Sequence, residues 1–260
     1  MIPIKTAAQL DGIRTSCSML AEVLELLEQR VQPELPVIEL DRIARREIAA
    51  RGGRPSFLDF HGYPSALCVS VNETVIHGIP TDYVLKAGDV VGLDCGIDFD
   101  GYFSDSAVTV PVGEVSAELR TLLTVTRDAL EQGLAAVRPR ARIKDISRAI
   151  YSHIAPHGFG VVREFCGHGV GLGVHEDPQV PNYVGHGPNP RLKSGMVLAI
   201  EPMVNLGGDA IYIEDDEWTV VTADHSVSAH FEHTVAIFDD HSEVLTRRAG
   251  ETIPAVQEAS

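Results

Sequence analysis

Cysteine is scarce in this chain and poorly placed for cross-linking. Cys17, Cys68, Cys95 and Cys166 include no CxxC pair, which excludes a zinc knuckle and argues against a disulfide framework. Each reads as a reduced, buried thiol. Long apolar runs are missing as well. Nothing approaches the roughly 18 residues of a membrane span, and the opening MIPIKTAAQL lacks the apolar core of a secretory signal. The expected compartment is the cytoplasm, with no membrane partner. Positive charge is in deficit: 21 Lys and Arg stand against 37 Asp and Glu, a net charge of −16. Such a field disfavours nonspecific association with nucleic acid or anionic lipid, so no nucleic-acid substrate is expected. What is present is an ordinary globular composition, 44% hydrophobic and 22% charged in 260 residues, enough for one large domain or two small ones. Among the 11 histidines, lone ones such as His153, His157, His225 and His241 read as surface or packing residues.

One stretch does not fit a bland reading. GLDCGIDFDGYFSDSA, residues 92–107, places four aspartates inside a segment that otherwise has the Val, Phe and Tyr of buried strand. Asp100-Gly101 is a strong two-residue turn signal, so the segment reads as an antiparallel hairpin. With that turn, Gly96 faces Asp105, and Asp94 becomes the diagonal neighbour of Asp105 on one face, roughly 7–8 Å away. Two carboxylates converging on a buried face repel each other and lose hydration unless a proton or a cation compensates. Solvation on an open face, or hydrogen bonds to backbone, would be the plainer resolution.

The chain also repeats itself. LKAGDVVGLD at 85–94 matches LKSGMVLAIE at 192–201, an offset of 107 residues. Upstream, Val31, Pro33, Leu40, Arg42, Ile48 and Gly52 match Val137, Pro139, Ile146, Arg148, Ile154 and Gly158, at an offset of 106. A capping box at Thr6 to Gln9 opens a helix running to about 32, and a second helix covers 38–51. The second half repeats the pattern at about 116–137 and 143–157. Strands are expected at about 66–71, 90–99, 102–110, 161–166, 196–204, 211–222 and 226–238. Helices followed by antiparallel strands, twice over, indicate an α+β fold with helices on the outer side of a curved antiparallel sheet. The duplication implies pseudo-twofold halves, about 6–112 and 113–248, within one domain over 1–250, with 251–260 as a C-terminal tail.

Such symmetry brings the end of GLD near the end of AIE. Glu201 ends an apolar strand, and Glu232 lies in AHFEHTVAIF among inward-facing neighbours. Between them, FCGHGVGLGVHEDP sets His168 between glycines and His175 seven residues later. Four inward carboxylates and an imidazole can hold two divalent ions that share bridging carboxylates. A two-His-one-carboxylate iron site fits worse, and no nucleophile-elbow signature supports a Ser or Cys triad. A buried ion-pair network is the competing reading of the same residues.

SVNETVIHGIP, GLDCGIDFDGYFSDSA, FCGHGVGLGVHEDP, AIEPMV and DEWTVVTADHSVSAHFEHTVAI, in this order and spacing, closely resemble the type I methionine aminopeptidases of the pita-bread metallopeptidase fold. The resemblance covers about Ala7 to Thr246. It implies Asp94, Asp105, His168, Glu201 and Glu232 as ligands of two divalent ions, with Asp105 and Glu232 bridging; Mn, Fe, Co and Zn all accept such a set. It implies His77 near the substrate amine and scissile amide, and His175 at the tetrahedral intermediate, with Glu201 moving the proton. The methionine pocket maps to His61, Tyr63, Cys68 and Trp218, with Met203 nearby. Val174 stands where relatives commonly carry Phe, and Phe60 where they carry Tyr, a departure that bears on pocket shape.

The activity implied is removal of the N-terminal Met from nascent chains with small second residues, by a monomer with at most a transient ribosome contact. A proline-specific peptidase of the same fold would carry an additional N-terminal domain. The type II branch needs a helical insert for which the separation of 26 positions from His175 to Glu201 leaves no room. A binding module that has lost its metals would not keep the full ligand set.

Overall fold

The structure is a computed structural model that describes residues 1–249 and Glu251; the expected tail therefore lies, but for Glu251, outside the described residues. Helix α1 (Ala7–Glu28) opens on the anticipated capping box: the Thr6 hydroxyl accepts the Gln9 N–H, and the Gln9 side chain accepts the Thr6 N–H at 2.9 Å. Its buried face recurs at three- and four-residue steps through Leu10, Ile13, Cys17, Leu20, Leu24 and Leu27. The helix stops at Glu28, short of the expected 32: the Arg30 and Val31 N–H groups reach back only three residues, to the Leu27 and Glu28 carbonyls, so the chain turns out of the helix ahead of Pro33. Helix α2 spans Val37–Ala50. Helix α3 (Ala117–Ala136) is capped by Ser116, and α4 covers Ile143–Ile154. The last was expected to reach 157. Pro156 cannot donate to the α-helical ladder, and the chain makes a single 3₁₀ turn there instead.

Strand pairing is antiparallel throughout the named strands. One sheet centres on the hairpin Val90–Phe99 and Tyr102–Pro111, with Leu67–Val71 and Arg54–Pro55 along its other edge. Its register is the one the Asp-Gly turn dictates, with Gly96 opposite Asp105 and Asp94 opposite Ala107. A five-stranded sheet runs in the order Ser242–Val244, His233–Ile237, Val197–Ile200, Gly167–Gly169 and Glu176–Val180. A three-stranded sheet ties the halves together by pairing Thr74–Ile76 with Val220–Thr222. Helix α1 lies across the hairpin and α3 across the second half's strands. Leu24, Leu93, Leu130 and Leu198 belong to one continuous apolar core.

Several expected strands are interrupted, each for a local reason. The strand foreseen at 161–166 is limited to Gly160–Val161, after which the chain leaves the sheet so that Glu164, Phe165 and Cys166 line a cavity. Pro202, with no N–H to give the ladder, splits 196–204 into Val197–Ile200 and Met203–Asn205. Residues 211–222 form a hairpin, Ile211–Ile213 with Val220–Thr222, whose turn is closed by Asp216 accepting the Trp218 and Thr219 N–H groups. The strand foreseen at 226–238 breaks between His230 and His233, where Glu232 leaves the ladder and bridges to Ala107. Thr74–Ile76, Gly167–Gly169 and Glu176–Val180 were not foreseen. They are too short, too glycine-rich or too polar to carry an alternation signal.

Gly167 shows how closely the five-stranded sheet packs beside His168. A Cβ there would lie 2.4 Å from the Ala199 carbonyl oxygen and 3.2 Å from the Val180 Cβ. Gly167→Ala is expected to lower stability by about 1–3 kcal/mol, measured as a lower chemical-denaturation midpoint. An unchanged midpoint would contradict this packing.

Candidate active site

A cavity of about 600 Å³ opens between the two main sheets. Asp94, Asp105, His168, Glu201 and Glu232 all line it, together with His61, Tyr63, Cys68, His77, His175 and Trp218. The hairpin supplies Asp94 and Asp105; Glu201 follows the strand Val197–Ile200, and Glu232 leaves the ladder beside Ala107. Hydrogen bonds stitch the halves at this point. The Ser106 and Thr109 hydroxyls donate to the Glu232 and His230 carbonyls, at 2.7 and 2.6 Å, and the Thr234 hydroxyl donates to the Asp105 carbonyl at 2.7 Å. These bonds hold the backbone of the second half against that of the hairpin, which carries Glu232 to Asp94 and Asp105.

Donor atoms of Asp94, Asp105 and Glu232 lie within 4.8 Å of one another, as do those of His168, Glu201 and Glu232, and those of Asp105, His168 and His175. Asp105, Glu201 and Glu232 are buried. Asp94 Oδ1, Asp105 Oδ1 and Glu232 Oε1 are buried with no hydrogen-bond partner among the described residues. Orphaned carboxylate oxygens are costly, and their pKa values respond. Burial pushes Asp94 up to about 7, and it pushes Asp105 and Glu232 well above the carboxylate range, with the neighbouring acids adding to the rise.

Glu201 is the exception. Burial would raise it, but the His230 imidazole, its Nε2 3.5 Å from Glu201 Oε2, outweighs burial and holds it low. The His168 ring donates through Nδ1 to the Gly169 carbonyl at 2.9 Å, because a carbonyl can only accept. Unless the ring is protonated twice, its Nε2 carries a lone pair, and it faces Glu201 Oε1 at 3.5 Å and Asp105 Oδ2 at 3.7 Å. Lone pairs facing lone pairs without a proton between them fit a cation. The set therefore meets the chemistry of a divalent-metal centre, with oxygen donors in excess and one imidazole fixed in its ligating tautomer.

Around this set, Phe57, Tyr63, Cys68 and Val174 form an apolar cluster against which Phe60 and Trp218 pack. Tyr63 meets the Trp218 ring edge-on at 5.2 Å, and its hydroxyl donates to the Gly78 carbonyl at 2.9 Å. Val174 is buried in this cluster and does not itself reach the cavity wall. Met203 sits deeper than expected. It is fully buried with Val75, Ile76 and Val220, and Ile76 rather than Met203 reaches the cavity wall. His77 (φ 57°) and His61 (φ 50°) hold left-handed backbone conformations that cost non-glycine residues about 1–3 kcal/mol. Burial lowers the His77 pKa to about 4, and burial followed by the nearby His168 lowers that of His175 to about 4. Both rings are accordingly neutral near pH 7 and can each donate one N–H.

His230 was not singled out from sequence. It is buried, and its Nε2 lies 3.5 Å from Glu201 Oε2 without another partner among the described residues. The available signal was parity, since on an extended chain His230 shares a face with Glu232. Phe165 and Cys166 also line the cavity and were not singled out. The Phe165 ring meets His77 edge-on at 5.6 Å.

Comparison with known proteins agrees with this geometry. The model of metallopeptidase family M24 matches residues 11–239. A methionine aminopeptidase of Treponema pallidum is 52% identical over 247 residues, covering 95% of this chain and 96% of the relative. The crystal structure of methionine aminopeptidase from Thermotoga maritima superposes with a TM-score of 0.93 at 38% identity, covering 95% of this chain and all of that one. A prolidase from Pyrococcus furiosus shares the fold, with a TM-score of 0.76 at 23% identity, but this chain spans only 65% of its length. The fold is that of the pita-bread peptidases, and the chain belongs to metallopeptidase family M24, among its methionine aminopeptidases.

Proposed function

We propose that this methionine aminopeptidase works with two divalent ions held by Asp94, Asp105, His168, Glu201 and Glu232, with Asp105 and Glu232 shared between them. The observation that carries the reading is the trio of buried, unpartnered carboxylate oxygens on Asp94, Asp105 and Glu232. A buried ion-pair network would have paired them with Lys or Arg, and none lines the cavity among the described residues. When bound, such ions polarise a substrate carbonyl and acidify a water.

The remaining work falls to the chain's own groups. Glu201, on the cavity wall beside the His168 and His230 imidazoles, accepts the proton of the attacking water and passes it to the leaving amine. Neutral His175 donates an N–H to the carbonyl oxygen as negative charge develops there, and neutral His77 orients the scissile amide. His61, Tyr63, Cys68 and Trp218 enclose the methionine side chain, with Met203 supporting the wall from behind Ile76. The substrates are N-termini of nascent chains, met in the cytoplasm by a monomer with at most a transient ribosome contact. Residues 1–250 act as one catalytic domain, to which Glu251, at the start of the expected tail, is still held by His233 and Arg248.

Cleavage requires a small second residue, because a β-branched one meets the wall carrying His77 and His175, and misplacement by about 1 Å costs on the order of 100-fold. With added Mn or Co, Met-Ala and Met-Ser peptides are expected to be cut rapidly and Met-Ile peptides hardly at all, read by release of free Met. Comparable rates on Met-Ile would overturn the specificity, and no metal-dependent release from any of them would overturn the function.

Asp105→Asn removes a shared charge with almost no change of volume. It is expected to bind metal more weakly and to lose most activity while keeping wild-type circular dichroism. Equal metal content together with an equal rate would refute the assignment.

A further inference from the structure

The segment ahead of α1 reaches the active cleft from outside. The Lys5 side chain is 1% exposed, and its Nζ lies 2.5 Å from Glu176 Oε2, on a side chain that is 8% exposed. The backbone of Lys5 is docked as well, its N–H donating to the Gly195 carbonyl at 2.8 Å. Glu176 in turn closes the loop that precedes it. Its Oε1 accepts the Leu172 N–H at 2.6 Å and the Gly173 N–H at 3.1 Å. Gly171 begins this loop at φ +126°, where a Cβ would collide with Ile13 and lie 3.3 Å from Lys5 Cε. The Gly171 carbonyl accepts the Phe103 N–H of the hairpin at 2.9 Å. Only Val174 and His175 remain between the closed turn and Glu176, one buried in the apolar cluster with Tyr63 and Cys68 and the other on the cavity wall, edge-on to His168 at 4.4 Å.

We propose that Lys5 is a positioning residue for His175, its ammonium holding the Glu176 carboxylate inward so that the turn 171–175 presents His175 to the cleft. A buried carboxylate accepting two backbone N–H groups has one oxygen left over. Without a cation at that oxygen, the charge favours swinging out to water, which would release the Leu172 and Gly173 N–H groups and the turn with them. The pair's cost in desolvation is repaid as fixed geometry at a group that acts on the transition state. The inference rests on the role given to His175 above.

The test uses the metal-loaded full chain and its Lys5→Met, Lys5→Met/Glu176→Gln and Lys5→Arg variants. In the double variant no charge is buried, and the amide oxygen of Gln still accepts the two N–H groups. Lys5→Met is expected to lower kcat on a Met-Ala peptide, per folded molecule, by about 10–100-fold at unchanged metal content. The imidazole NMR signal of His175, assigned with His175→Asn, should move in Lys5→Met. The double variant should recover most of kcat and return that signal towards its wild-type position. A Lys5→Met enzyme with wild-type kcat and an unmoved His175 signal would overturn the proposal, as would a double variant no better than Lys5→Met. A purely structural lysine would lower thermal stability and leave kcat per folded molecule alone. Should Lys5→Met fail to fold, Lys5→Arg and the double variant decide: Lys5→Arg keeps a cation at Glu176 and the double variant buries no charge, so both should keep kcat within a few-fold of wild type with the His175 signal near its wild-type position, and a loss of about 10–100-fold in both at wild-type fold would overturn the proposal. Failure of wild-type protein to cleave Met-Ala would count against the functional reading instead, and the His175 signal would then decide the positioning role by itself.

Discussion

Four carboxylates and an imidazole crowded into one cavity make the constraint on which the rest of this structure depends. Asp105, Glu201 and Glu232 are buried, and three oxygens of the Asp94, Asp105 and Glu232 carboxylates have no donor among the described residues. Left alone, such a set takes up protons, as the raised values of Asp94, Asp105 and Glu232 express. Divalent cations held there, as proposed, would displace those protons and turn mutual repulsion into coordination, which links metal binding, protonation and stability. The cross-strand hydroxyls of Ser106, Thr109 and Thr234 make sense in these terms, since they fix the backbone where the two halves' carboxylates are forced together.

The second layer of organisation lies in backbone geometry. His61 and His77 occupy left-handed conformations, and the Asp216 turn anchors Trp218 through its N–H. Conformations of this kind persist only where surrounding packing imposes them. Here the imposing contacts include the Tyr63 hydroxyl on the Gly78 carbonyl, one residue from His77, and the edge-on contacts of Tyr63 with Trp218 and of Phe165 with His77. The pocket is thereby shaped before substrate arrives, which lowers the ordering cost of productive binding.

How much of this could be read from the chain depends on the range of the interaction. Asp100-Gly101 sets the hairpin register through local turn chemistry, so the shared face of Asp94 and Asp105 was legible to the residue. The helices were legible from capping and periodicity, and their ends missed by a few residues where prolines intervene. The acids gathered in the cavity stood out because acids in apolar strands are conspicuous. His230 did not, because nothing near it in sequence marks Glu201 as its neighbour. The Lys5–Glu176 pair spans 171 residues and leaves no local trace at all. Short strands such as Gly167–Gly169 exist only through their partners, which is why alternation could not reveal them.

The central claim is that the buried carboxylate set is completed by two divalent ions. Metal-stripped protein titrated with Mn or Co in a calorimeter, in two buffers of different ionisation enthalpy, tests it most directly. The account predicts two ions bound per chain, with net release of protons as Asp94, Asp105 and Glu232 give them up. Saturation at a single ion, or binding without proton release, would contradict it.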